Sequence, residues 1–440
     1  MGAMESDCLL RRPWGNLCTT IMPRFRTCSA SKITKSTSST RAPRRATSLL
    51  ARWARAVAVL SFLTIGLLAS RAEAYPWMIR HDHPGCVQCH MDPSGAGLLT
   101  AYGREEGENV LPMRYGAPPS DELLASRSTF AWGLFNTPDW LLLGASLRPG
   151  LVGVKVESGA MSVQPVLMQG DLRAGVRAGG LRASASLGIV TVNGSPASLT
   201  GNLVSREHWL GYAFDHDTFT VRAGRLNVPF GIRNDEHTFW VRQQTRTDIN
   251  DTQQDGLAIA YSSRWLRGEA MGIAGNYQIS PAARRERGYS AYLEFDPRPW
   301  AGVGVSSLVT RADLDLNLHV PNTRQAHGVF GRVSPVTPLV LLAEFDVLLD
   351  APTGMSSSNR WVGLLQADVE PRQGLHLIGA GEALSAGLNT SERSWSGWLG
   401  VDWFVWSHMD VRADFVRQLV GAGPQQLSVT SFVLQGHMYL

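Results

Sequence analysis

Cys86-Val87-Gln88-Cys89-His90 is the one run in this chain whose residue types and spacing specify a chemistry. Two thiols three positions apart, followed at once by a histidine, form the attachment pattern of a c-type haem. The cysteines would form thioethers to the porphyrin, and the adjacent imidazole of His90 would reach the iron as the proximal ligand. Two other chemistries use similar spacing. Zinc needs about four ligands in tetrahedral array, and His81 and His83 are near enough to be offered as the missing ones. A redox dithiol needs a βαβ setting, which the sequence does not supply. The spacing favours one covalent haem c.

The second axial ligand stays open among Met78, His81, His83 and Met113. Met91 follows the proximal histidine too closely to fold back to the opposite haem face. A methionine ligand would raise the potential relative to a second histidine.

Residues 56–69 are apolar and follow Arg52 and Arg55, and Ala72-Glu73-Ala74 supplies a small-x-small cleavage signature. The stretch is too short for a good membrane-spanning helix. Residues 1–74 are therefore expected to be a presequence. Its first 50 residues are rich in Ser, Thr and Arg, which suits a transit peptide or a start codon set too far upstream, the second being preferred.

This segment carries 12 of the 41 Lys+Arg and 3 of the 37 Asp+Glu, leaving 29 against 34. The basic balance of the whole chain belongs to the presequence, so a nucleic-acid partner loses its support. Cys8, Cys18 and Cys28 leave with it. Only Cys86 and Cys89 remain, which excludes a disulfide framework and suits a pair consumed by haem attachment.

The elements that must position this motif are strands. Residues 408–420 put Met409, Val411, Ala413 and Phe415 on one face and Asp410, Arg412 and Asp414 on the other. Residues 286–296 set Tyr289, Ala291, Leu293 and Phe295 against Ser290, Glu294 and Asp296. A soluble sandwich gives the same alternation. The segments here are longer than usual soluble strands and match a tilted bilayer crossing.

Trp265, Trp300, Trp403 and Trp406 fall near one set of segment ends, Trp361 and Trp395 near the other, as interfacial girdles require. Sixteen segments can be counted from residue 141 to the C-terminus, separated alternately by short and longer connections. That phase belongs to an outer-membrane barrel. The expected fold is all-β, a transmembrane antiparallel barrel of about 16 strands over 126–440, preceded by a short haem-c segment over 75–125. An even count leaves both barrel ends on the periplasmic side, so the haem segment enters from there or lies in the lumen. The chain ends Met438-Tyr439-Leu440, without the terminal aromatic residue common in such barrels.

Inward positions include Glu294, Asp296, Glu344, Asp346, Asp368, Asp402, Asp410 and Asp414. Oxygen ligands suit hard cations. The preferred reading is the ordinary polar lining of a water-filled barrel.

A haem-c segment fused to a porin-like barrel resembles the fused cytochrome–porins of the bacterial outer membrane, with which iron-oxidising bacteria take electrons from extracellular Fe(II). Around the motif, Leu99-Thr100-Ala101-Tyr102-Gly103-Arg104 is similar to the Leu-Thr and Gly-Arg that follow it in that family. The next residues are Glu105-Glu106, where the family tends towards an aromatic and a basic residue. The architecture therefore carries over more directly than iron oxidation does.

The resemblance implies that Cys86, Cys89 and His90 attach the haem, and it assigns no other ligand. Gly224-Arg225-Leu226-Asn227-Val228-Pro229-Phe230-Gly231 is also similar to a segment frequent in porin-like barrels. The connection that follows, 229–253, joins the fifth and sixth strands and carries Arg233, Asp235, Glu236, His237, Arg242, Arg246, Asp248 and Asp251. In sixteen-stranded porins that loop folds into the lumen. The comparison thus implies a constriction carrying Arg233, His237, Arg242 and Arg246; an ordinary surface loop is the other reading.

The expected function is an electron conduit in the outer membrane of a Gram-negative bacterium. Its partners would be membrane lipid, a periplasmic c-type cytochrome and an extracellular donor or acceptor such as a metal ion. The alternatives are a solute porin with a haem-bearing periplasmic plug, and a scaffold that docks other cytochromes.

Overall fold

The computed structural model describes residues 77–81, 85–95, 97–116, 120–135, 137–189, 203–234, 236, 238–249, 252–276, 285–388, 390, 392–421 and 426–440. The presequence expected over 1–74 lies outside them. The alternation of strand β12 (Leu339–Pro352) is inverted relative to a sheet built for water. Leu341, Phe345, Val347 and Leu349 turn outward, whereas Glu344, Asp346 and Asp350 turn inward with Val340, Leu342 and Leu348. Strand β15 (Arg393–Trp406) does the same, with Trp395, Leu399, Val401 and Trp403 outward and Ser394, Ser396 and Asp402 inward. An apolar outer face is stable only against lipid, and a polar inner face only if it is hydrated or paired.

The other strands are β1 (Leu141–Val156), β2 (Ser162–Ala178), β3 (Leu181–Ile189), β4 (Leu203–Val204), β5 (His208–Phe214), β6 (Phe219–Leu226) and β7 (Gln254–Ser262). They continue as β8 (Leu266–Gly275), β9 (Glu286–Arg298), β10 (Ala301–Ala312), β11 (Asn322–Val336), β13 (Ser358–Arg372), β14 (Leu375–Ser385), β16 (Met409–Val420) and β17 (Leu427–Tyr439). All pairings are antiparallel. The barrel closes through β1 and β17, with Ser146 opposite Tyr439 and Val156 opposite Val429. Closure removes every sheet edge, which hydrocarbon would not tolerate.

The barrel has 16 staves, because β4 and β5 are two pieces of one. Both pair with β3, where Gly188 faces Val204 and Ala185 faces His208. Residues 205–207 thus stand opposite only 186–187, which is a β-bulge. The sequence reads 203–214 as one unbroken strand, and alternation alone does not reveal the extra residue. Ser186 Oγ accepts the backbone N–H groups of Arg206 and Glu207 at 2.9 and 3.0 Å, so the bulge turns both residues inward.

The connections 179–180, 215–218, 263–265, 299–300, 337–338, 373–374 and 407–408 form one rim. Every connection on the opposite rim is longer. In outer-membrane barrels the short-turn rim is periplasmic. Among the described residues no helix is long and apolar enough to cross a membrane, so the crossing is made by strands.

The outward face makes a direct prediction. Leu399, near the middle of β15, is 68 % exposed to the surrounding phase. A Leu399→Arg substitution is expected to cost about 2–4 kcal/mol in bilayer-embedded unfolding, against almost nothing for inward Ser396→Ala.

Two segments fill the lumen. The first enters from the short-turn rim and includes a 3₁₀ turn (Met78–His81) and helix α1 (Ala101–Val110); helix α2 (Asp121–Arg127), which follows, has no buried residue. Trp77, Met78, Ile79 and Leu111 form an apolar cluster with Phe330, Val340, Leu342 and Phe404 of the wall. The second is the loop 227–253 between β6 and β7, the fifth and sixth staves, with helix α3 (Trp240–Thr245).

Candidate functional site

Residues 85–104 form one local unit around the motif. The N–H groups of Cys89 and His90 both donate to Cys86 O, at 3.2 and 2.9 Å, making a helical turn that brings the two thiols to one side. An antiparallel bridge then pairs His90 with Leu99, and Met91 N donates to Leu98 O at 2.9 Å. Thr100 caps α1, its Oγ1 accepting from Gly103 N at 3.0 Å. The same hydroxyl donates to Gln88 O at 2.6 Å, tying the helix start to the motif turn.

Gly103 is where α1 touches that turn. A Cβ there would stand 2.6 Å from Cys89 Cα and closer still to Cys89 O. Gly95, with φ +77°, lets the returning backbone pass Cys86, and a Cβ there would lie 2.7 Å from the sulfur. Both glycines are required by close approach. Gly103→Ala is therefore expected to push α1 off the motif turn and raise the reactivity of the buried Cys89 thiol towards a thiol probe severalfold, with barrel assembly unchanged on heat-modifiable gels.

The helix face holding Gly103, Arg104 and Glu108 is buried, while Glu105 is exposed. Arg104 reaches the backbone carbonyl of Leu143 on β1 and lies over the Phe130 ring at 5.9 Å. Burial lowers its pKa to about 10. Glu108 accepts from Ser407 Oγ at 2.5 Å, fastening α1 to the turn between β15 and β16. Gly97 stands against the carboxylate of Glu207, the residue that the bulge aims inward.

Cys86, Cys89 and His90 together line a cavity of ≈ 250 Å³ between this segment and the wall. Both thiols are free, Cys89 being buried and Cys86 partly so. From the wall, Arg267 Nη1 stands 3.3 Å from Cys86 Sγ. Tyr292, Glu294, Arg332 and His437 also face the cavity. Deep in the segment, Asp92 meets Arg222 at 2.9 Å, accepts from Ser94 N at 2.9 Å and from Asn227 Nδ2 at 3.1 Å. Burial raises its pKa, but Arg222 and Arg233 overcome that and hold it below the ordinary carboxylate range.

A covalently held porphyrin needs two thiols on one side of a turn, an adjacent imidazole, room beside the sulfurs and cationic groups for its carboxylates. The residues present fit. The thiols share a turn and a cavity with His90, two glycines clear the space beside them, and Arg233 brings a guanidinium with three buried nitrogens. Among the described residues no group of three or more His, Cys, Asp and Glu side chains is set to hold a metal ion directly.

Of the axial candidates, Met78 alone among the described ones lines the cavity. His81 lies against Glu370, with Nε2 3.5 Å from Oε2. Met113 donates its backbone N–H to Phe404 O at 2.9 Å, where the segment leaves the wall. His83 lies outside the described residues, as does His237.

The loop residues Arg233, Arg242 and Arg246 occur at three different places inside the barrel. Arg242 pairs with Glu344 on β12 and donates to Phe230 O at 3.1 Å. Arg246 binds Asp315 at 3.1 Å and Glu286 on β9 at 2.7 Å. Ile232 N donates to Glu344 Oε2 at 3.0 Å, and Asn234 Nδ2 to Gln366 Oε1 at 2.9 Å. Trp240 N and Trp398 Nε1 both donate to Glu382, at 2.5 and 3.0 Å. The loop is thus pinned across the lumen to β9, β12, β13 and β14, and Phe239 packs edge-on against Trp398 of β15 at 4.9 Å.

The eight carboxylates read from the sequence as inward are all buried in the lumen. Many are neutralised in place: Glu294 by Arg267 and Arg332, Glu344 by Arg242, Asp368 by Arg80, and Asp414 by Arg412. Such pairing leaves little free negative field for concentrating cations and agrees with a polar lining. The cavity residues Arg267, Tyr292, Arg332 and His437 were not picked out from the sequence. Their only local signal is an inward phase on their strands, which dozens of other residues share.

No protein-family model matches the chain, and no curated sequence matches it either. Similar solved structures are outer-membrane barrels. A loop-deletion form of OmpT from Vibrio cholerae is 12% identical, with a TM-score of 0.54 over 68% of this chain and 99% of its own. An anion-selective porin from Comamonas acidovorans is 10% identical, at 0.53 over 68% and 99%. The outer membrane channel DcaP of Acinetobacter baumannii is 12% identical, at 0.51 over 70% and 99%. At such identities the likeness shows the fold, a porin-like barrel of the outer-membrane type.

Proposed function

We propose that this chain is a porin-like barrel that carries a haem-c segment in its own lumen and moves single electrons across the outer membrane. The observation that carries this reading is the position of Cys86, Cys89 and His90, which share one lumenal cavity instead of lying on a separate domain. When bound, the haem supplies a reversible one-electron couple.

The protein's own residues do the rest. Cys86 and Cys89 fix the group to a turn that cannot swing, because Thr100 and Gly103 lock that turn to α1. His90 would hold the haem iron, and Met78 is the other candidate ligand that lines the same cavity. The wall and the loop 227–253 surround the site and lower the dielectric around it, which strengthens the charges that face it. The proximity of the cavity to the short-turn rim, where Glu108 meets Ser407, favours exchange with a periplasmic c-type cytochrome. This arrangement parallels the fused cytochrome–porins. The external donor or acceptor, a ferrous ion among the choices, is left to experiment.

A second reading has a specific observation behind it. The solved structures with this fold include proteins described as a channel and as an anion-selective porin, and the lumen here is rich in arginine. On that reading the segment 77–115 is a haem-bearing plug that regulates solute passage. Liposomes holding the purified protein separate the two. Reduction of an enclosed c-type cytochrome by external Fe(II) or dithionite is expected for the conduit. Solute uptake that ignores the haem's oxidation state, with no electron transfer, would select the porin.

A further inference from the structure

Most lumenal charges near the motif are paired where they stand. Arg222 meets Asp92 at 2.9 Å and Glu269 at 2.5 Å, and Arg332 holds Glu294 at 2.6 Å. Arg233 is different. Its Nε, Nη1 and Nη2 are all shut away from solvent, and among the described residues none has a hydrogen-bond partner. It lines the same cavity as Cys86, Cys89 and His90. A guanidinium keeps its proton and presents five N–H donors in a planar fork, so leaving them unmet in a buried site is costly.

The nearby carboxylates do not relieve it. Asp92 and Glu269 attract Arg233 through space, but both are bonded to Arg222, and neither forms a hydrogen bond or an ion pair with Arg233. Burial pushes the Arg233 pKa down despite that attraction. Among the described residues no acceptor meets the guanidinium, so an acceptor brought into the cavity by a ligand would relieve it. Arg148 of β1 lines the same cavity, and its Nε is likewise buried without a partner.

We infer that Arg233 is a carboxylate receptor, its fork binding an anionic carboxylate that enters the cavity beside the Cys86–His90 turn. Planar two-point recognition of this kind is what the guanidinium geometry suits. Two sources offer the same chemistry. A porphyrin attached at Cys86 and Cys89 brings carboxylates of its own, a case that rests on the function proposed above. A small dicarboxylate solute passing through the lumen would bring them independently of haem. Either way Arg233 links the infolded loop to whatever occupies the cavity, a role that the other loop arginines, held by Glu344, Glu286 and Asp315, are not free to take.

The test uses the full-length protein purified from outer membranes, with wild type, Arg233→Gln and Arg233→Lys compared. In the first arm the haem is titrated electrochemically. Loss of a positive charge beside the porphyrin favours the oxidised form. Arg233→Gln is expected to shift the oxidised-to-reduced equilibrium about tenfold, a fall of about 59 mV for one electron. Arg233→Lys, which keeps the charge without the fork, should shift it less and in the same direction. In the second arm succinate is titrated calorimetrically into the same proteins. If a solute is the source, wild type binds succinate, Arg233→Gln weakens it at least tenfold, and the potential stays fixed.

A response in either arm supports the receptor and names its source. An unchanged potential together with unchanged succinate binding overturns it. If wild type carries no covalent haem, the haem reading fails by itself, and the succinate arm alone decides whether Arg233 binds carboxylates. Should Arg233→Gln not accumulate as a heat-modifiable barrel, Arg233→Lys carries both arms.

Discussion

A Cys86→Ala/Cys89→Ala protein is expected to assemble into the outer membrane in normal amount and to lose all covalent haem. Thioether formation needs the sulfurs, and nothing else in residues 75–440 supplies a thiol. The barrel does not depend on them. Its closure rests on the β1–β17 ladder and its 16 staves, while the segment is anchored by contacts at some distance from the thiols, such as Trp77, Leu111 and Met113 with the wall. Cys89 is buried beside the cavity it lines, so alanine there adds only a small void. Haem staining of purified outer membranes reads the result directly. A wild-type band without covalent haem would sink the haem reading whatever the barrel does. Electron uptake that survives the double substitution would sink the conduit while leaving the attachment chemistry intact.

Arg80→Ala is expected to have the largest effect on the plug. Arg80 sits on the 3₁₀ turn and is almost wholly buried. Its Nη2 donates to Asp368 Oδ1 at 2.5 Å, its Nη1 lies 3.4 Å from Glu370, and its Nε donates to Trp77 O at 3.1 Å. The guanidinium also lies over the Trp77 ring at 5.4 Å. Removing it takes the guanidinium from two lumenal carboxylates, leaving Asp368 with His376 Nδ1 at 3.0 Å and Glu370 with His81 and the Gly374 N–H. Breaking a buried pair in this way costs about 3–5 kcal/mol, roughly a hundred- to several-thousand-fold in the balance between seated and released segment. Single-channel conductance and liposome swelling should rise in Arg80→Ala. Arg80→Lys, which keeps the charge without its fork, should fall between the two. Unchanged conductance would mean that this pair does not hold the segment in the barrel, and would remove the physical basis for a regulated plug.

The two outcomes are independent. Haem can be lost from a seated segment, and a haem-bearing segment can be released. Together they separate an electron conduit from a solute channel with a plug, a distinction that the porin-like fold by itself does not make.

The sequence by itself determined the wall and singled out the motif. Sixteen alternating segments between short and long connections could be placed within a few residues of the observed strands, because period-2 alternation and turn residues are local properties. Trp265, Trp361, Trp395 and Trp406 do lie at strand ends or in adjacent turns, for the same reason. Cys86, Cys89 and His90 could be singled out because their spacing is read along a single turn.

Only the tertiary structure decided which lumenal groups meet. Inward polar residues occur all round the barrel, and nothing local says that Arg80 will find Asp368, 288 positions away, or that Arg267 will face Cys86. Those partners are fixed by the stagger of the strands and by how deeply the N-terminal segment and the loop 227–253 enter. The bulge at 205–207 was hidden for the same reason, since an extra residue shows itself only against its neighbouring strand. Arg233 is the clearest case. In the sequence it was one charge among several on a long polar loop. In the fold, Arg222 bonds both nearby carboxylates, and the three guanidinium nitrogens of Arg233, a lining residue of the motif's cavity, are buried without a partner among the described residues.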